Sequence, residues 1–269
     1  MKIAIAGKGG TGKTTIAGTV VRELARQGRR VTAIDADPNP TLAMTLGIDA
    51  DVAEDAAALP TGLLEQVTAA DGSSGFQLRM DVDEILQRVA LPGPDDIRLV
   101  IAGRVEHAAR GCMCGTHAAV RAILGAIAEA PADVVLLDME AGIEHFSRAA
   151  GTLRYADALL VLVEPFYKSL VTARSVASLS AELGIPHRYV VANKVRGAGD
   201  LVPIDEFCAE SGLQLIGTVP WDSTFQEAES QRAAPIDFAP TSPGVTAARA
   251  LAPVVADLLA APAGAYPPA

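Results

Sequence analysis

The segment from Gly7 to Thr15 holds the densest set of residues that could do chemistry. Residues 7–14 read Gly-Lys-Gly-Gly-Thr-Gly-Lys-Thr and fit the pattern G-x-x-x-x-G-K-[ST]. Glycines let such a loop wrap around phosphate with its N–H groups pointing inward, and the following helix N-terminus adds positive potential. Lys13 would contact the β- and γ-phosphates, and the Thr14 hydroxyl would ligate Mg²⁺. The predicted phosphate-binding residues are Gly7, Lys8, Gly9, Gly10, Thr11, Gly12, Lys13, Thr14 and Thr15.

Carboxylates at the ends of two apolar runs are expected to complete this site. Asp35 closes the run Val31–Asp35, and Asp138 closes the run Asp133–Asp138. Ligands of a doubly wound sheet bind at the carboxyl ends of its strands, so both side chains should meet the phosphates there. We expect Asp138 to bind Mg²⁺ through water and Asp35 to support the water shell of the same ion.

Cys112 and Cys114 form a second candidate site. They stand in Gly111-Cys112-Met113-Cys114-Gly115, and the flanking glycines favour a tight, exposed turn. Two thiolates can chelate one soft metal ion, but they fill only half of a tetrahedral site. A dimer with the pair near its two-fold axis would supply four thiolates. A redox pair and two small packed side chains are the alternatives.

Other possible ligands carry less weight. Three histidines, at positions His107, His117 and His145, lie near the cysteines or near Asp138 in sequence. They are either further ligands or ordinary hydrogen-bonded residues. Cys208 falls in the helical pattern Ile204–Ala209 and is predicted to be a small packed residue.

Short apolar runs and helical patterns alternate along the chain and must position these residues. Runs of this length are typical of strands buried on both faces of a parallel sheet. In the first helical pattern Ile16, Val20 and Leu24 repeat at i+4, and Gly28 follows as a stop signal. The alternation predicts an α/β fold, a doubly wound and mostly parallel sheet of about seven strands flanked by helices. The runs are Ile3–Ala6, Val31–Asp35, Arg98–Ala102, Asp133–Asp138, Ala158–Val163, Arg188–Asn193 and Gln214–Thr218.

Residues 51–97 are the least regular part of the sequence. Proline and glycine punctuate short helical pieces such as Val82–Val89, which predicts a long excursion between the second and third strands. No linker divides the chain, so we expect one domain over residues 1–260. The segment Ala261–Ala269 contains mainly Pro, Gly and Ala and is expected to be a disordered tail.

Composition and charge exclude several classes of protein. Half of the 269 residues are apolar, but no uninterrupted apolar run approaches the roughly 20 residues of a membrane-spanning helix. The net charge of −10 argues against non-specific nucleic-acid binding and against an electrostatic membrane anchor. Because the glycine-rich motif begins at Gly7, the sequence leaves no room for a signal peptide, and we expect a cytoplasmic location. Three cysteines there do not indicate a disulfide framework.

Lys8 makes the motif more specific. The stretch Lys-Gly-Gly-x-Gly-Lys-Thr-Thr from Lys8 to Thr15 resembles the deviant Walker A motif of the MinD, ParA and nitrogenase iron protein superclass, whose fold is that of SIMIBI-type P-loop NTPases. In that superclass the early lysine reaches the phosphates bound by the opposite subunit. The resemblance therefore implies an ATP-dependent homodimer with two nucleotides at its interface. Without this resemblance, Lys8 would be interpreted as a solvated surface lysine.

The same resemblance implies roles for four further segments. Asp37 precedes a proline in switch I and would orient the attacking water, while Gly142 would start switch II, where a backbone N–H senses the γ-phosphate. Asn193 resembles the adenine-reading Asn, and Pro220-Trp221-Asp222 resembles the segment that closes over the base. Phosphoryl transfer needs mostly positioning and charge neutralisation, which these parts supply. The residues expected to be catalytic are Lys8, Lys13 and Asp37.

Three stretches together resemble the CooC family, the nickel-insertion ATPases that mature carbon monoxide dehydrogenase. They are Arg98–Gly103, Gly111-Cys112-Met113-Cys114 and Asp138-Met139-Glu140-Ala141-Gly142-Ile143-Glu144-His145. The resemblance runs over nearly the whole chain, and the last stretch is its most specific part. In that family two Cys-x-Cys pairs of an ATP-bound dimer hold one nickel or zinc ion. The resemblance thus implies Cys112 and Cys114 as ligands of a shared Ni²⁺ or Zn²⁺, and a client metalloenzyme such as carbon monoxide dehydrogenase.

Two other functions compete with a metallochaperone ATPase. A MinD/ParA-like positioning ATPase would explain Lys8 but not the cysteine pair, and the sequence lacks a basic amphipathic C-terminal helix for membrane attachment. An ATP-dependent iron–sulfur reductase uses two widely spaced cysteines per subunit, one just beyond Walker B, but no cysteine stands between Asp138 and Cys208. Bound metal in the ATP-state dimer discriminates among the three: nickel or zinc, no metal, or iron with sulfide.

Overall fold

The computed structural model describes residues 1–37, 39–56, 61–68, 74–102, 120, 122–123, 133–140, 153 and 155–260. Several residues singled out above lie outside this part of the chain. They are Cys112, Cys114, Gly142, His107, His117, His145 and the segment 261–269.

The described residues form ten strands, eight of which build one central sheet. The strands are β1 (Lys2–Gly7), β2 (Arg30–Asp35), β3 (Leu64–Thr68), β4 (Ser74–Leu78), β5 (Leu91–Pro92), β6 (Arg98–Ile101), β7 (Asp133–Asp138), β8 (Ala158–Val163), β9 (His187–Val195) and β10 (Gln214–Pro220). The order in the main sheet is β10-β9-β8-β1-β7-β2-β6-β5, and the neighbours are parallel except for β5 and β6. All seven predicted runs are strands of this sheet, which confirms the predicted fold class.

Helices cover both faces of the sheet. Their bounds are α1 (Lys13–Arg26), α2 (Leu42–Leu46), α3 (Ala50–Glu54), α4 (Val82–Val89), α5 (Tyr167–Glu182), α6 (Ala198–Ser211), α7 (Thr224–Ser230), α8 (Pro235–Phe238) and α9 (Pro243–Ala260), with 3₁₀ turns at Thr61–Leu63 and Pro94–Asp96. Successive side chains of a strand point to opposite faces. Accordingly, Ile3 and Ile5 pack with α1, α2 and α9, whereas Ala4 and Ala6 pack with α4, α5 and α6.

The first helix forms as its sequence pattern predicts. Ile16, Val20 and Leu24 are fully buried against the sheet. Gly28 follows the helix with a φ of 82°, a left-handed conformation that glycine adopts without steric cost, and its N–H bonds the carbonyl of Ala25. The helix end and the buried stripe thus both follow from local sequence.

The irregular region 51–97 holds more structure than its sequence suggests. The predicted helical piece Val82–Val89 is α4, and the Asp81 carboxylate caps it by accepting the N–H of Asp83 at 2.8 Å. The sequence did not predict the antiparallel hairpin of β3 and β4, which stands apart from the main sheet. It also missed β5, a two-residue edge strand that pairs antiparallel with β6.

Three neighbouring strands end together at the carboxyl edge of the sheet. Asp35 at the end of β2 lies in register with Asp138 at the end of β7. Ala36 donates its N–H to the Asp138 carbonyl at 3.0 Å, and Ala102 donates to the Asp35 carbonyl at 2.9 Å. The carboxyl ends of β2, β6 and β7 therefore lie side by side at this edge of the sheet. Within the described helices, none combines the length and the apolar character that a membrane crossing requires.

Candidate nucleotide-binding site

The glycine-rich loop lies between β1 and α1, as its motif predicts. Gly12 immediately precedes α1 with a φ of 88°, and a Cβ added there would lie 2.5 Å from the Asn193 side-chain nitrogen. A side chain at this position would therefore be both strained and obstructed. The loop closes on itself, because the Thr11 hydroxyl and backbone N–H donate to the Lys8 carbonyl at 2.8 and 3.3 Å.

The two lysines of the motif differ in their surroundings. Lys13 is only 7 % exposed, and its ammonium lies 3.4 Å from the Lys8 carbonyl. Burial lowers the pKa of Lys13, although the nearby carboxylates of Asp138, Asp37 and Glu140 counteract part of that effect. The Lys8 ammonium instead lies at the exposed side of the loop, 3.3 Å from the Gly9 carbonyl. Lys13 thus faces the acidic interior of the site, whereas the half-buried Lys8 bonds the exposed Gly9 at the rim of the loop.

Asp35 and Asp138 are buried carboxyl groups at adjacent strand ends, each 1 % exposed. Burial raises the pKa of Asp35 to about 6, against the opposing effect of hydrogen bonds from the N–H groups of Leu42 and Asp37. Those bonds measure 2.9 and 3.1 Å and hold the loop that follows β2. Burial, with the neighbouring Asp35 charge, raises the pKa of Asp138 to about 7. Two such groups would favour a cation between or beside them.

The residues around Asp138 fit Mg²⁺. One carboxylate oxygen of Asp138, Oδ1, is buried without a hydrogen-bond partner, and the Thr14 hydroxyl bonds the same carboxylate. A buried unpaired oxygen is costly in a folded protein, and hard oxygen ligands are the ones that Mg²⁺ prefers. The donor set therefore has the chemistry that the predicted Mg²⁺ site requires.

A groove of about 590 Å³ opens over the loop and is large enough for a nucleotide. It is bounded by the start of α1, the loop after β2 and helix α7. Lys13, Thr14 and Asp37 line it together, so residues predicted to act on the phosphates converge on one cavity. One Asp37 oxygen accepts the Asn39 N–H at 2.8 Å, which holds the carboxylate in its loop.

A smaller pocket of about 60 Å³ adjoins the groove. The predicted base-binding residues Asn193, Pro220, Trp221 and Asp222 line it together. Asn193 is 4 % exposed, and its side-chain nitrogen donates to the Thr11 carbonyl at 2.7 Å, so it also contacts the phosphate-binding loop.

Asp222 has a structural task beside this pocket. Its Oδ2 accepts the Gly244 N–H in the first turn of α9 at 2.7 Å, and its Oδ1 accepts the N–H and hydroxyl of Thr224 in α7 at 3.0 and 2.6 Å. Burial by itself would raise the pKa of Asp222, but these hydrogen bonds and one from Ser242 lower it below the ordinary value. The carboxylate therefore caps two helices.

The sequence did not predict several residues at or beside the site. Phe225 and Gln226 of α7 line both the groove and the pocket. Lys194 lines them as well and forms an ion pair with Glu164 at 2.7 Å. The Asn-Lys pair after an apolar run could have indicated Lys194, whereas no sequence pattern pointed to Glu164.

The predicted metal pair is outside the described residues, and within them no group of three or more His, Cys, Asp and Glu side chains could hold a metal ion. Cys208 is in α6, buried and free of a disulfide, as predicted for a packed residue. Burial, with the nearby Asp205, raises the pKa of its thiol to about 11.

Comparison with known proteins identifies the family. Residues 2–236 match the CobQ/CobB/MinD/ParA nucleotide-binding domain. The carbon monoxide dehydrogenase accessory protein CooC of Rhodospirillum rubrum is 40% identical over 246 residues, covering 89% of this chain and 91% of CooC. An ATP-binding protein of Methanocaldococcus jannaschii is 37% identical over 232 residues, covering 85% and 88% of the two chains. The septum site-determining protein MinD of Pyrococcus horikoshii, complexed with Mg-ADP, shares the fold with a TM-score of 0.72 at 20% identity over 96% of each chain.

The similarity to CooC covers most of both chains, 89% of this one and 91% of CooC. The MinD structure independently supports the order of strands and helices. This chain is therefore an ATPase that belongs to the CooC family within the CobQ/CobB/MinD/ParA nucleotide-binding proteins.

Proposed function

We propose that this ATPase is a metallochaperone. It dimerises with ATP, binds Ni²⁺ or Zn²⁺ at a Cys112–Cys114 site shared by two subunits, and supports insertion of the metal into a client enzyme. The client proposed is a carbon monoxide dehydrogenase, because the relative from Rhodospirillum rubrum is an accessory protein of that enzyme. The observation that carries the proposal is the presence of this cysteine pair in a CooC-family chain with a complete phosphate-binding loop.

The loop would bind the triphosphate through its N–H groups and Lys13. A bound Mg²⁺, held by Thr14 and through water by Asp138, would neutralise charge on the phosphates. Asp37, which lines the groove, would orient the attacking water, and Asp35 would keep the Asp37 loop in place. Gly142 would contribute a backbone N–H toward the γ-phosphate. Asn193, Pro220 and Asp222 would enclose the base.

Dimerisation would depend on the half-buried Lys8, whose ammonium bonds the exposed Gly9 at the rim of the loop. An ammonium on the outer side of the loop can reach the phosphates of a nucleotide held by a facing subunit. The attraction exists only when those phosphates are present, so ATP would bring the subunits together. The same contact would add positive charge where negative charge develops during phosphoryl transfer.

The metal site would form only in that dimer. One subunit offers two thiolates, and a tetrahedral or square-planar soft ion takes four. If ATP brings the two pairs together, the metal must in turn favour the ATP-bound dimer, because linkage between two ligands is reciprocal. Hydrolysis would then loosen the interface and release the ion to the client.

A titration with Ni²⁺ or Zn²⁺, with and without a non-hydrolysable ATP analogue, tests the proposal. Mass determination of the complex should give one ion per dimer, and binding should weaken as the pH falls because thiolates must be deprotonated. Cys112→Ser and Cys114→Ser should each abolish metal binding and leave ATP affinity within about twofold. Cys208→Ser is the matched control and should bind metal normally, because this thiol is buried in α6.

Other results would identify a different function. Tight binding of one ion per monomer, insensitive to nucleotide and to both substitutions, would exclude the shared site. A nucleotide-dependent dimer without metal would favour a MinD/ParA-like positioning ATPase. Iron with sulfide at the interface would favour an ATP-dependent reductase.

A further inference from the structure

Lys194 connects two strands to the tip of the phosphate-binding loop. It is near the end of β9, and its ammonium donates a hydrogen bond to the Gly10 carbonyl. The same ammonium lies 2.7 Å from Oε1 of Glu164, the residue that follows β8. The backbone of Lys194 has a φ of 58°, an uncommon conformation for a residue other than glycine. Such a conformation persists where the surrounding contacts enforce it.

The preceding residue extends the same contact. Asn193 donates from its side-chain nitrogen to the Thr11 carbonyl at 2.7 Å, and its side-chain oxygen accepts the Lys194 N–H at 2.9 Å. The space beside Gly12 is filled by the Asn193 side chain. Two consecutive residues of β9 therefore contact three consecutive residues of the loop, Gly10 to Gly12.

The loop tip needs such support. Gly10 is exposed, has a φ of 82°, and a Cβ added there would meet no atom within 4 Å. A glycine with this much space loses more conformational entropy on ordering than any other residue. A charge-assisted bond to its carbonyl reduces the entropy that remains to be lost when phosphate binds.

We propose that the Glu164–Lys194 ion pair is a positioning device for the ATPase reaction, which holds the tip of the phosphate-binding loop in its phosphate-accepting conformation. Glu164 is 12% exposed and neutralises the ammonium, so Lys194 remains directed at the Gly10 carbonyl. Lys194 acts through the loop and not on the nucleotide itself. The inference rests on the proposed binding of the nucleotide phosphates by Gly7–Thr15.

The substitution Lys194→Met removes the charge and both bonds at an unchanged backbone position. Titration with fluorescent ADP and ATP analogues should show affinity losses of about tenfold that are equal for the two, since both place a β-phosphate in the loop. In steady-state hydrolysis the KM for ATP should rise by a similar factor, with kcat within about twofold, because the loss is common to ground and transition states. The melting temperature of the nucleotide-free protein should fall by less than about 4 °C, since partly exposed ion pairs contribute little to stability.

Glu164→Gln should cause a smaller loss in the same direction, and the double variant should bind no more weakly than Lys194→Met, because both changes disrupt one interaction. The matched control is Arg174→Met, which removes the exposed Arg174–Glu210 pair of equal length, 2.7 Å, between α5 and α6. This control should bind both nucleotides normally.

Three results would overturn the inference. The first is an unchanged nucleotide affinity in Lys194→Met. The second is a weaker affinity for ATP with an unchanged affinity for ADP, which would indicate direct contact between Lys194 and the γ-phosphate. The third is a double variant in which the affinity losses of the two single variants add. A wild-type protein that binds neither nucleotide would instead refute the proposed phosphate site, so the two failures are distinguishable.

Discussion

The main-chain oxygen of Asp35 accepts a hydrogen bond from the N–H of Ala102 at a distance of 2.9 Å. The side chain of the same Asp35 holds the N–H groups of Asp37 and Leu42 in the loop after β2. Ala102 directly precedes the segment that carries the cysteine pair. One residue therefore connects the loop proposed to orient water with the strand from which the proposed metal segment continues.

Lys8→Ala tests the contact across the dimer. The variant should still bind ATP through Lys13 and the loop N–H groups, but it should lose ATP-dependent dimerisation and turnover. Analytical ultracentrifugation with and without ATP measures the dimer, and a phosphate-release assay measures the turnover. Lys168→Ala is the control, since it removes an exposed lysine from α5. An unchanged dimer in Lys8→Ala would exclude the trans role.

Asp37→Asn tests the orientation of the attacking water. An asparagine oxygen can still accept the Asn39 N–H, so the loop should keep its shape. Without the carboxylate, hydrolysis should fall by about a hundredfold or more, and an ATP-bound dimer should accumulate. Size-exclusion chromatography with nucleotide analysis of the dimer peak measures this. Hydrolysis at the wild-type rate would remove Asp37 from the mechanism.

Asp138→Asn tests how much the buried, ionised carboxylate of Asp138 destabilises the fold when neither nucleotide nor Mg²⁺ is bound. The pKa of the Asp138 carboxyl is about 7 in the folded protein, against an ordinary value of 3.8. Between pH 3.8 and pH 7 the folded state therefore keeps a proton that the unfolded state has lost. Its contribution to stability is present below the unfolded pKa and is lost as the pH rises through 7.

The melting temperature of the Asn variant relative to the wild type should therefore rise between pH 5 and pH 8, because the neutral amide has no proton to lose. Thermal unfolding at both pH values measures the difference. In the presence of Mg²⁺ and ATP the wild type should melt higher than the Asn variant at pH 8, because only the charged carboxylate supports the cation. A difference between the metal-free proteins that does not depend on pH would contradict the assignment.

Asp222→Ala tests the structural task of the base-pocket carboxylate. It removes the acceptor for Gly244 in α9 and for Thr224 in α7, so the free energy of unfolding should fall by about 1–2 kcal/mol. Urea denaturation measures the loss. Asp257→Ala, an exposed change in the same helix α9, should alter stability by less than about 0.5 kcal/mol. Equal stability of the two variants would show that the caps contribute little.

Much of the fold and the centre of the site could be predicted from local sequence. Strands buried on both faces give continuous apolar runs, and α1 has a regular apolar repeat that ends at Gly28. The glycine-rich motif specifies its own loop, because the phosphate-binding geometry depends on consecutive residues. The cysteine pair and Gly142 remain sequence predictions, since they lie outside the described part of the chain.

The tertiary structure decided the contacts between distant segments. Asn193 reaches Thr11 across 182 residues of sequence, and Lys194 reaches Gly10 across 184, because parallel crossovers bring the carboxyl ends of separate strands to one edge. No local pattern records which residue of one loop will face another. The hairpin of β3 and β4 and the two-residue β5 were missed for a related reason, since pairing between strands stabilises them and their own sequences carry no strong period. The sequence by itself thus determined seven strands of the main sheet and the phosphate-binding motif, while the packing of the sheet determined which side chains hold that motif in place.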